Sequence, residues 1–109
     1  MVVTASASCK TLPAAFQGMQ YAAQNGANVV SMSFGGGGFS QTRQNLISSN
    51  PQVKFVAAAG NTPSTTKNYP AAYQGVLSVC ASTESDTMAS FSTYGDWVSV
   101  CAPGTNIIA

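Results

Sequence analysis

Asn28-Val29-Val30-Ser31-Met32-Ser33-Phe34-Gly35-Gly36-Gly37-Gly38 is the stretch on which the fold turns. Adjacent β-branched residues among other apolar side chains suit a buried strand, and the run of glycines ends it abruptly. Upstream, Leu12, Ala15, Phe16, Met19, Ala22 and Ala23 recur at spacings of three and four, the apolar stripe of a helix lying on a core. Thr11 suits its N-cap, Pro13 is tolerated in a first turn where no N–H is needed, and Asn25-Gly26 is a left-handed stop. Downstream, a weaker helix is expected from about Ser40 to Ser49, closed by Asn50-Pro51 because the residue before a proline is pushed out of the helical region.

Val53 to Ala59, Val76 to Ala81 and Trp97 to Cys101 read as further strands, with Asn106 to Ile108 as a short one at the end and Val2 to Thr4 as the tail of an earlier one. Strands alternating with helices in the first half imply a βαβ arrangement, hence an α/β fold in which helices flank a parallel sheet. The second half carries no helical period and reads as strands joined by long Ser/Thr-rich loops, where specificity tends to reside. At 109 residues the chain accommodates one domain, or part of one.

Charged residues make up only 6% of the sequence, against roughly a quarter in ordinary soluble domains. Lys10, Arg43, Lys54 and Lys67 stand against Glu84, Asp86 and Asp96, a net charge of +1 with no basic stripe, which argues against a nucleic-acid partner. The longest uninterrupted apolar run, Phe55 to Ala59, falls far short of the roughly 18 residues of a membrane-spanning helix. No charged-then-apolar leader follows Met1, so neither a membrane nor a signal segment is expected in this chain. Cys9, Cys80 and Cys101 form no CxxC and have no histidine to join them, which argues against structural zinc. Cys80, inside an apolar run, reads as a small buried residue, and no disulfide is assigned.

Candidates for chemistry are few. Glycines between a strand and a helix suit backbone contact with a phosphate, yet no Gly-Lys-Ser/Thr follows, Ser40 breaks the G-x-G-x-x-G spacing, and Phe55 stands where a ribose-binding acid would be sought. The same lack of side chains lets an extended peptide approach the main chain. The absence of histidine removes the commonest general base. Lys54, at a strand start, reads as a solvated end rather than a base, and Glu84 with Asp86 as a solvated turn rather than a carboxylate pair. There remains Phe55-Val56-Ala57-Ala58-Ala59-Gly60-Asn61. Three alanines and a glycine leave a strand end almost without bulk, beside which a substrate group can lie while the Asn61 carboxamide donates a hydrogen bond. A plain Gly-Asn turn is the competing reading.

Asn28 through Gly36, Val56-Ala57-Ala58-Ala59-Gly60-Asn61, Tyr69-Pro70-Ala71-Ala72-Tyr73, Ala89-Ser90-Phe91-Ser92-Thr93-Tyr94-Gly95 and Ala102-Pro103-Gly104 resemble, in order and spacing, the subtilisin-like serine proteases. The resemblance covers nearly the whole chain, and from Tyr69 onward is especially similar to the thermitase-like branch. It implies a subtilisin-like parallel α/β fold, incomplete in this chain, and a Ser-His-Asp hydrolase whose triad runs in the order Asp, His, Ser. None of the three has a counterpart here. The Asp-Thr-Gly and His-Gly-Thr-His segments would precede Met1, and Gly-Thr-Ser-Met-Ala would follow Ala109. Residues 1–109 are therefore expected to be the central part of a secreted endopeptidase's catalytic domain, inactive alone and partnered by the rest of that domain. The alternative is a non-catalytic pseudoprotease or peptide-binding α/β module.

By the same resemblance, Asn61 is implied to be the oxyanion-hole donor. Ser33, Phe34 and Gly35 pair with the main chain of an extended polypeptide substrate and line its pocket from one side, while Ala58, Ala59 and Gly60, following Ala57, line it from the other. Leu12 lies near a more distant subsite, and Tyr69-Pro70 corresponds to a cis peptide bond. No cofactor is expected. The carbonyls of Ala71, Tyr73 and Val76 match a weak calcium or other cation site, but Ser99 stands where an Asp is usual, removing charge that such an ion needs.

Overall fold

The computed structural model describes residues 12–36 and 38–108. Val29 and Val30 do open a strand. The elements are α1 (Leu12–Gln24), β1 (Val29–Met32), α2 (Gln41–Ser48), β2 (Lys54–Ala58), β3 (Val76–Ser82) and β4 (Val100–Pro103). The strands lie in the order β1-β2-β3-β4, each parallel to its neighbours. Parallel neighbours cannot be joined by a tight hairpin. The β1 to β2 crossover contains α2, whereas the longer β2 to β3 link carries the loops that build the site. The N-cap at Thr11, the early strand at Val2 to Thr4, Cys9 and Gly37 lie outside the described residues.

The helix stripe packs as its spacing requires. Phe16, Met19 and Ala23 of α1 and Ile47 of α2 form one buried cluster with Met32, Phe55, Ala57 and Val76 of the sheet. Helix α1 ends where Gly26 takes φ +85°, and the Ala27 N–H donates to the Ala22 carbonyl at 3.0 Å, the bond that closes a left-handed helix terminus. Helix α2 is closed by Asn50, whose Nδ2 donates to the Leu46 carbonyl at 2.7 Å.

Both helices contribute to the same core, so among the described residues one face of the sheet carries the helical layer and the other carries none. Strand alternation sends Ser31, Val56, Ala58, Leu77, Val79, Ala81, Val100 and Ala102 to the second face, in register across the four strands. Val100 there is 49% exposed and Val29, at the start of β1, 58%.

Two expectations are corrected. The strand expected over Trp97 to Cys101 begins at Val100 instead, because a turn in which the Val98 N–H donates to the Gly95 carbonyl occupies the preceding residues. Asn106 to Ile108 is not a strand: Asn106 stands at φ +56°, outside extended geometry. Cys80 and Cys101, for which the sequence leaves the pairing open, form a disulfide, their Cα atoms 4.3 Å apart. They face each other in the β3–β4 register, a juxtaposition that exists only once those strands are aligned.

Candidate functional site

In an open parallel sheet the carboxyl ends of all strands meet at one edge, and loops leaving that edge build the site. Here β1 runs out into Ser33-Phe34-Gly35-Gly36 and β2 into Ala59-Gly60-Asn61-Thr62, side by side because Met32 is the register partner of Ala57. Between them lies a cleft of about 670 Å³, walled by Ser33, Phe34, Gly35 and Gly36 on one side and by Ala58, Gly60 and Asn61 on the other. Thr62, Ser64, Thr66, Lys67, Asn68 and Thr93 close it, with Gly38 at the rim. Asn61 is exposed on its wall. Lys67 is the one charged side chain among these residues.

The first wall is seated by aromatic packing. Phe34 meets Phe16 edge-on at 6.2 Å between ring centroids, Phe16 meets Tyr73 at 6.4 Å, and the Arg43 guanidinium lies 4.1 Å over the Phe16 ring. The Tyr73 hydroxyl accepts the Ser40 N–H at 3.0 Å, fixing the far end of the glycine segment.

Asn68 ties the two walls together at the floor. Its Oδ1 accepts the Gly36 N–H at 2.8 Å and its Nδ2 donates to the Ala59 carbonyl at 3.0 Å. Both partners are backbone groups of fixed polarity, so the amide has one orientation only. The floor is close-fitting: a Cβ built on Gly35 lies 2.6 Å from Asn68 Nδ2, and one on Gly60 lies 2.7 Å from Thr93 Oγ1 and 2.9 Å from Asn68 Nδ2. Gly60 also stands at φ +127°, where a side chain is strained whatever the space. Neither neighbour can retreat without breaking hydrogen bonds. Gly60→Ala in the full-length polypeptide is therefore expected to cost about 2 kcal/mol of stability, read as a lowered unfolding midpoint in denaturant. An unchanged midpoint would show that the floor is slack.

Of the residues singled out from sequence, Ser33, Phe34, Gly35, Ala58, Gly60 and Asn61 share this cleft. Ala59 is 0% exposed, and strand alternation turns it with Ala57 into the interior. Only its carbonyl, taken up by Asn68, bears on the cleft. Leu12 opens α1. Sequence reasoning gave no role to Asn68, Thr93, Thr62 or Lys67. Tyr69-Pro70 is cis. Of the carbonyls matched to a cation, that of Tyr73 accepts the Val76 N–H at 3.2 Å, and the Ser99 hydroxyl accepts the Ser78 N–H at 3.2 Å. No group of three or more His, Cys, Asp or Glu gathers as a metal site among the described residues.

This geometry, a donor amide beside backbone walls, now meets its relatives. The model of the subtilase family, peptidase S8, matches residues 2–109. The chain belongs to the subtilase family. It is similar to a thermophilic serine proteinase of Bacillus sp. (strain AK1), 43% identical over 91 residues, covering 82% of this chain and 23% of that protein. Thermitase of Thermoactinomyces vulgaris is 41% identical over 97 residues, covering 87% of the chain and 35% of thermitase. Among solved structures, a cold-adapted subtilisin-like serine proteinase superposes with a TM-score of 0.81 at 33% identity, over 94% of this chain and 39% of that one. A psychrophilic subtilisin-like protease from Pseudoalteromonas sp. AS-11 gives 0.77 at 36% identity, over 87% of this chain and 22% of that one. The subtilase chain thus spans a quarter to a third of the curated relatives named, and its sheet of four parallel strands is a partial subtilisin-like α/β domain.

Proposed function

We propose that this subtilase segment is the central part of the catalytic domain of a secreted serine endopeptidase, supplying the oxyanion donor and the walls of the substrate cleft. The triad is carried by other parts of the polypeptide. What supports the reading is one observation: Asn61 shares a cleft with the Ser33 to Gly36 backbone, so a donor amide faces a segment able to pair with an extended chain. Asn61 donates to the carbonyl oxygen as it becomes an oxyanion. Ser33, Phe34 and Gly35 align the substrate main chain by strand addition, and Ala58 and Gly60 leave room for its side chain. Lys67, exposed beside the cleft, gives it a positive rim.

Labelling the full-length polypeptide with a serine-directed fluorophosphonate tests this. One mole of label per mole of chain, with parallel loss of peptide-ester hydrolysis, is expected. Binding of peptides without labelling or turnover would instead establish the peptide-binding module.

A further inference from the structure

Thr93 touches both peptide units that flank Asn61. It is 3% exposed and lies in no strand. Its N–H donates to the Gly60 carbonyl at 3.0 Å, its Oγ1 accepts the Thr62 N–H at 3.2 Å, and the same hydroxyl donates to the Thr62 carbonyl at 2.7 Å. One threonine thus grips the residue before Asn61 and the residue after it, using the hydroxyl as donor and acceptor at once.

We propose that Thr93 is a positioning residue that aims the Asn61 carboxamide. This rests on Asn61 being the oxyanion donor. The sheet does not hold the loop: the Ala59 N–H to the Val79 carbonyl, at 2.8 Å, is its last bond on this strand. Beyond it, among the described residues, the hydrogen bonds of the Gly60 and Thr62 main chain go to Thr93. Asn61, Thr62 and Pro63 are all exposed, and Gly60 adds backbone freedom rather than removing it. A carboxamide on two rotatable bonds reaches only the few rotamers that its Cα–Cβ bond allows, so fixing the backbone on both sides narrows the aim to those positions. Aim matters because such a donor must sit about 2.7–3.1 Å from the position the oxyanion will occupy, and a misplacement of about 1 Å costs on the order of a hundredfold in rate. The clamp also accounts for the glycine at position 60, where a Cβ would lie 2.7 Å from the clamping oxygen.

Thr93→Val removes the hydroxyl at nearly constant volume, and Thr93→Ser keeps it. In the full-length polypeptide, assayed on a peptide p-nitroanilide, Thr93→Val is expected to lower kcat about ten- to a hundredfold with KM within about twofold. Thr93→Ser recovers most of that loss. On an Asn61→Leu background, Thr93→Val is expected to add nothing, since no donor is left to aim. Equal losses on both backgrounds, or no loss on the parent, overturn the role of Thr93 while Asn61 stands. Parent-like turnover of Asn61→Leu alone overturns the oxyanion reading, and the aiming role with it. Hydrogen exchange reads the clamp without turnover: the Thr62 amide is expected to exchange at least about tenfold faster in Thr93→Val than in Thr93→Ser. Equal protection overturns the clamp even if both variants are inactive.

Discussion

Asn61→Leu, in the full-length polypeptide, is expected to lower kcat for a peptide substrate by about a hundred- to a thousandfold with little change in KM, a scale known from this family itself. Leucine keeps the approximate volume of the side chain and deletes its donor, so the cleft between Gly35 and Gly60 keeps its walls. The selectivity for kcat follows from where charge appears. A ground-state carbonyl carries a partial charge that solvent can satisfy, whereas the tetrahedral intermediate carries a full one in a site from which water has been displaced. An interaction made only with the latter affects the chemical step and spares binding. Asn61→Asp is expected to fall at least as far, because a carboxylate offers no donor and adds a charge of the same sign. The measurement is steady-state kinetics beside an unfolding curve for each variant. A parent-like kcat in Asn61→Leu removes Asn61 from the chemistry.

How much of this was legible beforehand can be traced through particular residues. Helix α1 was readable because its apolar period and Gly26 stop are local signals, and each agrees with the packing of Phe16, Met19 and Ala23. The end of β2 was readable only in part. Three consecutive alanines look like one smooth surface, but alternation divides them: Ala58 faces the cleft while Ala57 and Ala59 are buried at 2% and 0% exposure. The start of β4 falls three residues later than the sequence suggests, since Trp97 and Val98 of the Gly95 to Val98 turn are as apolar as the strand after them. Cys80 and Cys101 are separated by 21 residues and meet only through strand register. The clamp and the floor were hidden for the same reason. Thr93 reaches Thr62 across 31 positions, and Asn68 bonds a glycine 32 positions away. A lone hydroxyl or amide in a Ser/Thr-rich loop carries no local mark of such a partner.

The isolated 109-residue chain is expected to hydrolyse no peptide ester above background and to lack a sharp cooperative melt. The catalytic half of that expectation follows from composition, since no histidine is present to act as general base. The folding half follows from the sheet. Parallel sheets are stable when both faces are covered, and here the face bearing Val56, Leu77, Val79 and Val100 has no layer over it among the described residues. A fully exposed side chain of this kind gives up about 1.5–3 kcal/mol; Val56, Leu77 and Val79 are partly exposed and Val100 is 49% exposed, so the four together forgo a few kcal/mol. That is a large share of the net stability of a domain this size, about 5–15 kcal/mol. The Cys80–Cys101 bond, closing a loop of 21 residues, contributes about 3 kcal/mol but covers none of that apolar surface. The edges add an association route, because among the described residues β1 and β4 are the outer strands and β4 is exposed along its whole length. Size-exclusion chromatography is expected to give multimers, and circular dichroism a broad, shallow transition. Co-expression with the remaining segments of the full-length polypeptide should sharpen that transition, because a covering layer restores the missing burial. A monomer that melts sharply on its own would mean that this open face tolerates water, and that four strands with one helical layer suffice.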